Sequence, residues 1–298
     1  MTSACSPSAG AEETKTVEAK NTEPRIVLSA NYPLAYFAER LAGEFAEVSY
    51  PGPPNEDPAF WRPDREMLRD LQSADLLLLN GPGYSPWVGT LSLSIDRTID
   101  TTAGFEDRWI EAEASAVHVH GPDGTDGGAH VDFTTWIDPA LAIEQASSVA
   151  AALSRLDPPH REIYMERLES LESDLADLGS RLKQAVRTET DRNLVASHPV
   201  YAYLARHLGL NLRSVHFEPN LNPGAEGWRA LDEILATHPA ELMIWEGEPL
   251  PETVRELGNR GIRCVVFDPC AASPGGQDWL ASMRENARRL GEAFSQGH

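Results

Sequence analysis

Short apolar segments alternate with helix-forming segments in both halves of the chain. In the first half the apolar segments are RIVLSA, FAEVSY and DLLLLN, and the helix-forming segments LAYFAERLA and REMLRDLQ lie between them. Strands of a parallel sheet are buried on both faces and form short apolar runs, and helices make the crossover connections. The pattern therefore predicts a parallel β-α-β-α-β unit, followed by irregular chain from Gly81 to Trp136.

The second half repeats this arrangement with one more strand. The apolar segments NLVAS, LRSVHF, ELMIW and RCVVFD alternate with helices that we expect to begin at Pro199, Ala225, Pro251 and Gln277. Strands that alternate with helices in this way form a parallel sheet. The pattern predicts four parallel strands with crossover helices.

Residues 139–188 differ from both halves, because helix formers dominate them and no strand segment occurs. Four leucines recur at steps of three and four residues, namely Leu168, Leu171, Leu175 and Leu178. That spacing places them on one face of an amphipathic helix. A helix that begins after Pro159 and ends near residue 187 would be roughly 40 Å long, which is enough to connect two lobes.

The predicted fold class is therefore α/β, with two parallel-sheet lobes joined by a long linking helix. In chain order we expect a disordered tether, an N-terminal α/β lobe with a histidine-containing loop, linking helices and a C-terminal α/β lobe, at residues 1–23, 24–138, 139–188 and 189–298.

The composition limits the classes of partner. The chain has 298 residues, with 25 Lys and Arg against 46 Asp and Glu, and a formal net charge of -21. Nucleic acids and anionic lipid head groups are bound through clusters of Lys and Arg, so this acidic excess argues against both. Three cysteines are too few for a disulfide scaffold.

The first residues contain a location signal. Thr2-Ser3-Ala4-Cys5 resembles the end of a bacterial lipoprotein signal, in which small residues precede a cysteine that is lipidated after cleavage. The charged and apolar segments that a secretion signal needs do not precede it, so Cys5 is either a lipid anchor behind an incomplete signal or an ordinary cysteine of a tail. We favour the anchor, which would be the only link to a membrane.

Polar side chains follow the predicted strands in both halves. Carboxyl ends of parallel strands meet at one edge of a sheet, where ligands bind. In the first half these residues are Asn31, Glu56, Asp57, Asn80 and Tyr84, and in the second half they are His198, His216, Glu218, Glu246 and Asp268. Imidazole and carboxylate groups are ligands of divalent transition metals. The alternative is that His198 caps the helix at Pro199 and that the carboxylates interact with helix N-termini.

Known enzyme motifs are incomplete or missing. The segment NGPGYSP begins like a dinucleotide-binding loop, but Pro86 stands where a third glycine is needed. A metal-assisted hydrolase with Glu218 or Glu246 as the base has no motif in its favour, and we predict that the chain is not an enzyme. Cys264 and Cys270 are not expected to pair, because one lies within a strand and the other beyond its end.

Five further segments follow one another in order along the chain, namely NYPLAYFAERLAG, ADLLLLNGPGYSPW, TWIDPALA, SHPVYAYLARHLGL and VVFDPC. Together they resemble the metal-binding solute-binding proteins of bacterial zinc and manganese ABC importers, and the resemblance covers roughly residues 25–292. The resemblance implies two α/β lobes, a rigid linking helix, and one metal ion in the cleft between the lobes that is passed to a permease.

The same resemblance implies a ligand set, and this chain departs from it. The family typically supplies three histidines and one carboxylate; His198 matches the third histidine and Asp268 the carboxylate. Ala59 and Thr134 stand at the other two histidine positions. We expect His130 to act as a substitute, with His118, His120, Glu56 and Asp57 as further candidates. The resemblance also suggests that Glu246 orients His198 rather than binding the metal.

The leading hypothesis is a lipid-anchored extracytoplasmic protein, in the periplasm or at the cell surface, that binds zinc, or less favourably manganese, and delivers it to an ABC permease. The predicted metal ligands are His198, Asp268 and His130. The alternative is a surface adhesion or scaffold protein of the same fold with a degenerate, weak or absent metal site.

Overall fold

A computed structural model describes most of the chain beyond the N-terminal segment. The described residues are 24–53, 58–59, 61–81, 83–111, 131–186 and 192–296. Several residues that the sequence singles out lie outside these ranges, namely Cys5, Glu56, Asp57, His118, His120 and His130.

The first sheet has four parallel strands. In chain order they are β1 Arg25–Ser29, β2 Ala46–Ser49, β3 Leu76–Leu79 and β4 Thr98–Asp100. Their order across the sheet is β2-β1-β3-β4, and every pair is parallel. The prediction of a parallel sheet is confirmed. Strand β4 was missed, because three residues inside an irregular segment are too few to show a hydrophobic pattern.

The second sheet also has four parallel strands. They are β5 Asn193–Ala196, β6 Asn211–Ser214, β7 Leu242–Trp245 and β8 Arg263–Val266. Their order is β6-β5-β7-β8, which repeats the order of the first sheet. All four strands are those that the apolar segments predict.

Eight α-helices connect and cover the sheets in the described part of the chain. They are α1 Tyr32–Ala42, α2 Arg65–Ser73, α3 Pro139–Leu156, α4 Arg161–Val186, α5 Ala202–Leu208, α6 Gly224–Thr237, α7 Pro251–Asn259 and α8 Trp279–Ser295. Helix α4 has 26 residues and packs against α3 and α8. It is about 39 Å long at 1.5 Å per residue, close to the predicted length. None of these helices combines the length and the apolar character needed to cross a membrane.

The sequence determines where several helices begin. Asn31 caps α1 by accepting a hydrogen bond from the backbone N–H of Leu34 at 3.1 Å, and Pro33 lies in the first turn. Asp138 caps α3 by accepting from the N–H of Ala140 at 2.9 Å. Such caps satisfy N–H groups that have no partner inside the helix. Helix α5 differs from the prediction, because it begins at Ala202 and not at Pro199.

One hydrophobic core extends through both sheets and the connecting helices. It includes Phe37 of α1, Leu175 of α4, Leu194 of β5 and Trp279 of α8, each essentially inaccessible to solvent. The four leucines that predict the apolar face of α4 all belong to it. Helix α4 therefore connects the two sheets through packing as well as through the chain.

Candidate metal centre

The order of the second sheet brings certain strand ends together. From β5 the chain moves to β6 on one side and later to β7 on the other, so the connections diverge between β5 and β7. Ligands of open α/β sheets bind at such switch points, beyond the carboxyl ends of the strands. His198 follows β5 by two residues and Glu246 directly follows β7. Both side chains therefore lie at the switch point.

Three side chains converge there. One ligand atom each from His198, Glu218 and Glu246 can be chosen so that all three lie within 4.8 Å of one another. The Nδ1 atom of His198 is 3.7 Å from Oε1 of Glu218 and 3.8 Å from Oε1 of Glu246. Two ligand atoms on one tetrahedral zinc are about 3.3 Å apart. Small side-chain rotations would therefore place all three on one ion.

The distance between His198 and Glu246 also bears on the suggested orienting role of Glu246. At 3.8 Å the two atoms are too far apart for a hydrogen bond. This distance does not support an orienting hydrogen bond between His198 and Glu246.

The turn after β5 presents His198 to this point. The N–H of Val200 donates to the carbonyl of His198 at 2.9 Å, and Tyr201 stands at the N-cap of α5 without a side-chain capping bond. The alternative in which His198 caps the helix is therefore wrong. The side chain of His198 is 16% exposed, that of Glu246 25% and that of Glu218 45%, so the cluster opens to solvent at Glu218.

A second histidine lies beside the cluster. The ring centres of His198 and His216 are 5.4 Å apart, and the ring planes make an angle of 82°. His216 comes two residues after the end of β6 and two residues before Glu218. The second sheet thus places two imidazoles and two carboxylates at neighbouring strand ends.

Asp268, which the family resemblance suggests as a ligand, is not a member of the convergent group. Its Oδ1 accepts a hydrogen bond from the N–H of Cys270 at 2.7 Å, and its backbone exchanges two hydrogen bonds with the side chain of Asn286. Burial raises the pKa of the Asp268 carboxyl, and the bond from Cys270 partly opposes this. Its role as a metal ligand stays a prediction, as does that of His130, which lies outside the described residues.

Cys264 and Cys270 are both free thiols, in agreement with the expectation that they do not pair. Burial raises the pKa of Cys264 to about 11 and raises that of Cys270 as well. Burial therefore disfavours the thiolate, which is the form of cysteine that binds metal.

The first sheet uses its strand-end residues differently. The Nδ2 group of Asn80 donates to the carbonyl of Phe133 at 2.7 Å, and its Oδ1 accepts from Gln145 at 2.9 Å. Ala59 is buried, and the hydroxyl of Thr134 donates to the carbonyl of Val200 at 2.6 Å. The residues at the two altered histidine positions thus offer no imidazole, and Thr134 ties the segment before α3 to the turn that contains His198.

Contacts of this kind were not predicted from the sequence. The indole N–H of Trp136 donates to the carbonyl of Pro269 at 2.8 Å, and the hydroxyl of Tyr203 donates to the carbonyl of Asp132 at 2.9 Å. These bonds join residues that are 133 and 71 positions apart. A local pattern contains no signal for them.

Comparison with known proteins agrees with the architecture. The chain matches the family described as "Zinc-uptake complex component A periplasmic" over residues 27–293. The chain belongs to this family. The family is the one that the sequence segments resemble, so that prediction is confirmed. Its members are uptake components, which also confirms the prediction that the chain is not an enzyme.

Relatives and solved structures with related sequences include zinc-binding proteins and an adhesin. "Zinc-binding protein AdcA" of Streptococcus pyogenes serotype M3 (strain ATCC BAA-595 / MGAS315) is 22% identical over 289 residues, covering 89% of this chain and 55% of the relative. The chain therefore spans about half the length of that relative.

The Zn(II)-bound AdcA structure from Streptococcus pneumoniae has a TM-score of 0.77 at 19% identity, covering 92% of this chain and 58% of that chain. A mutant structure of the laminin-binding adhesin Lmb from Streptococcus agalactiae has a TM-score of 0.74 at 18% identity, covering 91% and 100%. These likenesses confirm the two-lobed α/β fold.

Proposed function

We propose that this chain is the extracytoplasmic solute-binding component of an ABC importer, and that it binds zinc and delivers it to a membrane permease. The observation that supports this most directly is the convergence of His198, Glu218 and Glu246 at the switch point of the second sheet. Membership of a zinc-uptake family supports the same function. No covalent chemistry is required, because the metal ion is the cargo.

Zinc fits the ligand types better than manganese. Zinc is commonly bound by four ligands that include histidine nitrogen, whereas manganese favours six oxygen ligands. A site that contains His198 and two carboxylates provides nitrogen and oxygen ligands in a small group. We therefore propose zinc as the transported ion and manganese as the weaker competitor.

Two ligand sets share His198. The family resemblance suggests His198, Asp268 and His130, and the described geometry suggests His198 with Glu218 and Glu246. His198 is therefore the residue on which the proposed metal site depends in either case. Attachment to the membrane is proposed to occur through a lipid on Cys5.

Zinc binding to the full chain tests the proposal. After removal of metal by a chelator, titration in competition with a chromogenic zinc chelator is expected to show one zinc per chain at micromolar zinc or below. The His198→Ala variant is expected to lose affinity by at least about tenfold, or ~1.4 kcal/mol. His160→Ala is the matched control, because that histidine lies in the short connection between α3 and α4 and contacts Asp157.

The outcomes separate the two functional hypotheses. If the wild-type chain binds no zinc at micromolar concentration, the transport proposal fails and the adhesion or scaffold alternative becomes the better one. If zinc binds but His198→Ala retains full affinity, as His160→Ala is expected to do, His198 is not a ligand. Delivery to a permease is tested separately by growth of the source organism in zinc-limited medium after deletion of the gene.

A further inference from the structure

We infer that His198, His216, Glu218 and Glu246 form a complete four-ligand zinc centre that is built from the second sheet alone. This inference rests on the proposed function and specifies its site. Its new element is His216, which would supply the fourth ligand without any contribution from the first sheet.

The backbone after β6 directs His216 and Glu218 towards His198. The N–H of Val215 donates to the carbonyl of Ala196 at 3.0 Å, and the N–H of Phe217 donates to the carbonyl of Ser197 at 2.7 Å. These two bonds continue the parallel ladder beyond β6, so this segment runs extended beside the turn that holds His198.

Along that extended segment, buried and partly buried side chains alternate. Val215 and Phe217 are buried in a hydrophobic cluster with Trp245, whereas His216 and Glu218 are only partly buried. Successive side chains of an extended segment point to opposite faces. His216 and Glu218 therefore share one face, which is the face that brings Glu218 to His198.

The spacing of the two imidazole rings matches a shared zinc ion. Two imidazoles on one tetrahedral zinc, each with a Zn–N bond of about 2.0 Å and a ring radius of about 1.2 Å, have ring centres about 5 Å apart. The ring centres of His198 and His216 are 5.4 Å apart. The 82° angle between the ring planes shows that the rings do not stack on each other. His216 lies outside the group whose ligand atoms already converge, so rotation of its side chain would have to bring a ring nitrogen to the shared point.

The charge of this set also suits the ion. Glu218 and Glu246 would together balance the two positive charges of zinc, and the two histidines would bind as neutral groups. A neutral centre lowers the cost of removing a divalent ion from water into a partly buried site. Two imidazoles and two carboxylates complete the usual four-coordinate shell of zinc.

Such a centre gives a reason why the first sheet can do without histidines at Ala59 and Thr134. All four ligands follow β5, β6 and β7, which are adjacent strands of one sheet. Thr134 is instead used in a hydrogen bond to the carbonyl of Val200. The ion would then be held by one lobe, and its ligand shell would stay intact if the lobes moved apart.

Zinc titration of ligand variants in the full chain tests this set against the one that includes Asp268 and His130. We expect His216→Ala and Glu218→Gln each to lower zinc affinity by about tenfold or more. Asp268→Asn and His130→Ala are expected to change zinc affinity by less than about threefold, or ~0.7 kcal/mol, because neither removes a ligand of this set. His160→Ala again serves as the control.

Three further measurements distinguish the loss of a ligand from the loss of the fold. Circular dichroism without zinc checks that each variant is folded. In the wild-type chain, long-range proton–nitrogen NMR of the histidine rings is expected to show that zinc shifts the ring nitrogens of His198 and His216. Cobalt substituted for zinc is expected to give the intense visible bands of a four-coordinate ion, and these should change in His216→Ala.

Each outcome decides a separate point. If the wild type binds zinc and His198→Ala loses it, but His216→Ala binds normally and zinc does not shift the ring nitrogens of His216 in the wild type, the four-ligand centre is wrong and the proposed function stands. If Asp268→Asn or His130→Ala loses as much affinity as His216→Ala, the centre is not confined to these four residues. If the wild type binds no zinc, the proposed function itself fails.

Discussion

At the scale of single residues, the same position in the topology supports different roles. Asn80 follows β3 as Glu246 follows β7, yet the Asn80 side chain bonds to Phe133 and Gln145, whereas the Glu246 carboxylate faces His198. A carboxamide can donate and accept in a fixed network, whereas a carboxylate only accepts and carries charge. The side chain therefore decides whether a strand end joins distant segments through hydrogen bonds or contributes a charge to the candidate metal cluster.

Asp268 provides a prediction at this scale. Burial raises the pKa of its carboxyl above the ordinary value, so the folded state disfavours the ionised form. An acid whose pKa is higher in the folded state than in the unfolded state has no effect on stability at a pH below its unfolded pKa. As the pH rises from the unfolded pKa to the folded pKa, the group destabilises the fold increasingly, because only the unfolded state can ionise it easily. Asp268→Asn keeps an oxygen that can accept from the N–H of Cys270 and removes this cost.

We therefore expect Asp268→Asn to be more stable than the wild type at pH 7 when zinc is removed by a chelator, with a smaller difference near pH 4. Urea unfolding of both chains at the two pH values measures this. If the variant is less stable than the wild type at pH 7, or if the difference in stability grows towards low pH, the buried carboxylate of Asp268 does not destabilise the fold.

At the scale of elements, helix α4 shows how a local pattern becomes a structural role. Its leucines recur at helical spacing, and in the fold they pack into the core that α4 shares with α3 and α8. The pattern predicted which face is apolar. It could not show that this face contacts α8, which lies near the opposite end of the chain, because such packing depends on how the two sheets are arranged.

Truncation of α4 tests the contribution of that face. Leu175 is completely buried, so Leu175→Ala should lower the free energy of unfolding by about 3 kcal/mol through lost burial and the cavity that remains. Met165, on the same helix, is 42% exposed, and Met165→Ala should cost less than about 1 kcal/mol. Chemical denaturation measures both. Equal losses in the two variants would mean that the inward face of α4 adds little to stability.

At the scale of the whole molecule, the continuous core predicts cooperative unfolding. Residues of both sheets and of α1, α4 and α8 belong to one hydrophobic cluster. The hydrogen bonds of Thr134 to Val200 and of Trp136 to Pro269 also join distant segments. Opening one sheet would therefore expose apolar surface that belongs to the other.

We expect a single transition in differential scanning calorimetry of the chain without zinc. Zinc at a free concentration 100 times its dissociation constant should stabilise the fold by about 2.7 kcal/mol and should move the whole transition to higher temperature. Two separate transitions, of which zinc moves only one, would show that the lobes unfold independently despite the shared core.

Much of this molecule follows from the sequence by itself. Apolar runs, helical spacing and capping residues such as Asn31 and Asp138 act over a few positions, so they specify seven of the eight described strands and the helices between them. The order of five segments also indicated the family. The residue types at the strand ends identified candidate ligands, including His198, His216, Glu218 and Glu246.

Only the tertiary structure decided which of those candidates meet. The order β6-β5-β7-β8 places the strand before His198 between those before Glu218 and Glu246, whereas Asp268 follows β8 at the edge of the sheet. The tertiary structure also forms the hydrogen bond from Thr134 to Val200 and pairs β4 with β3. These outcomes depend on contacts between residues far apart in the chain, and the spacing of residues along one strand or helix carries no information about them.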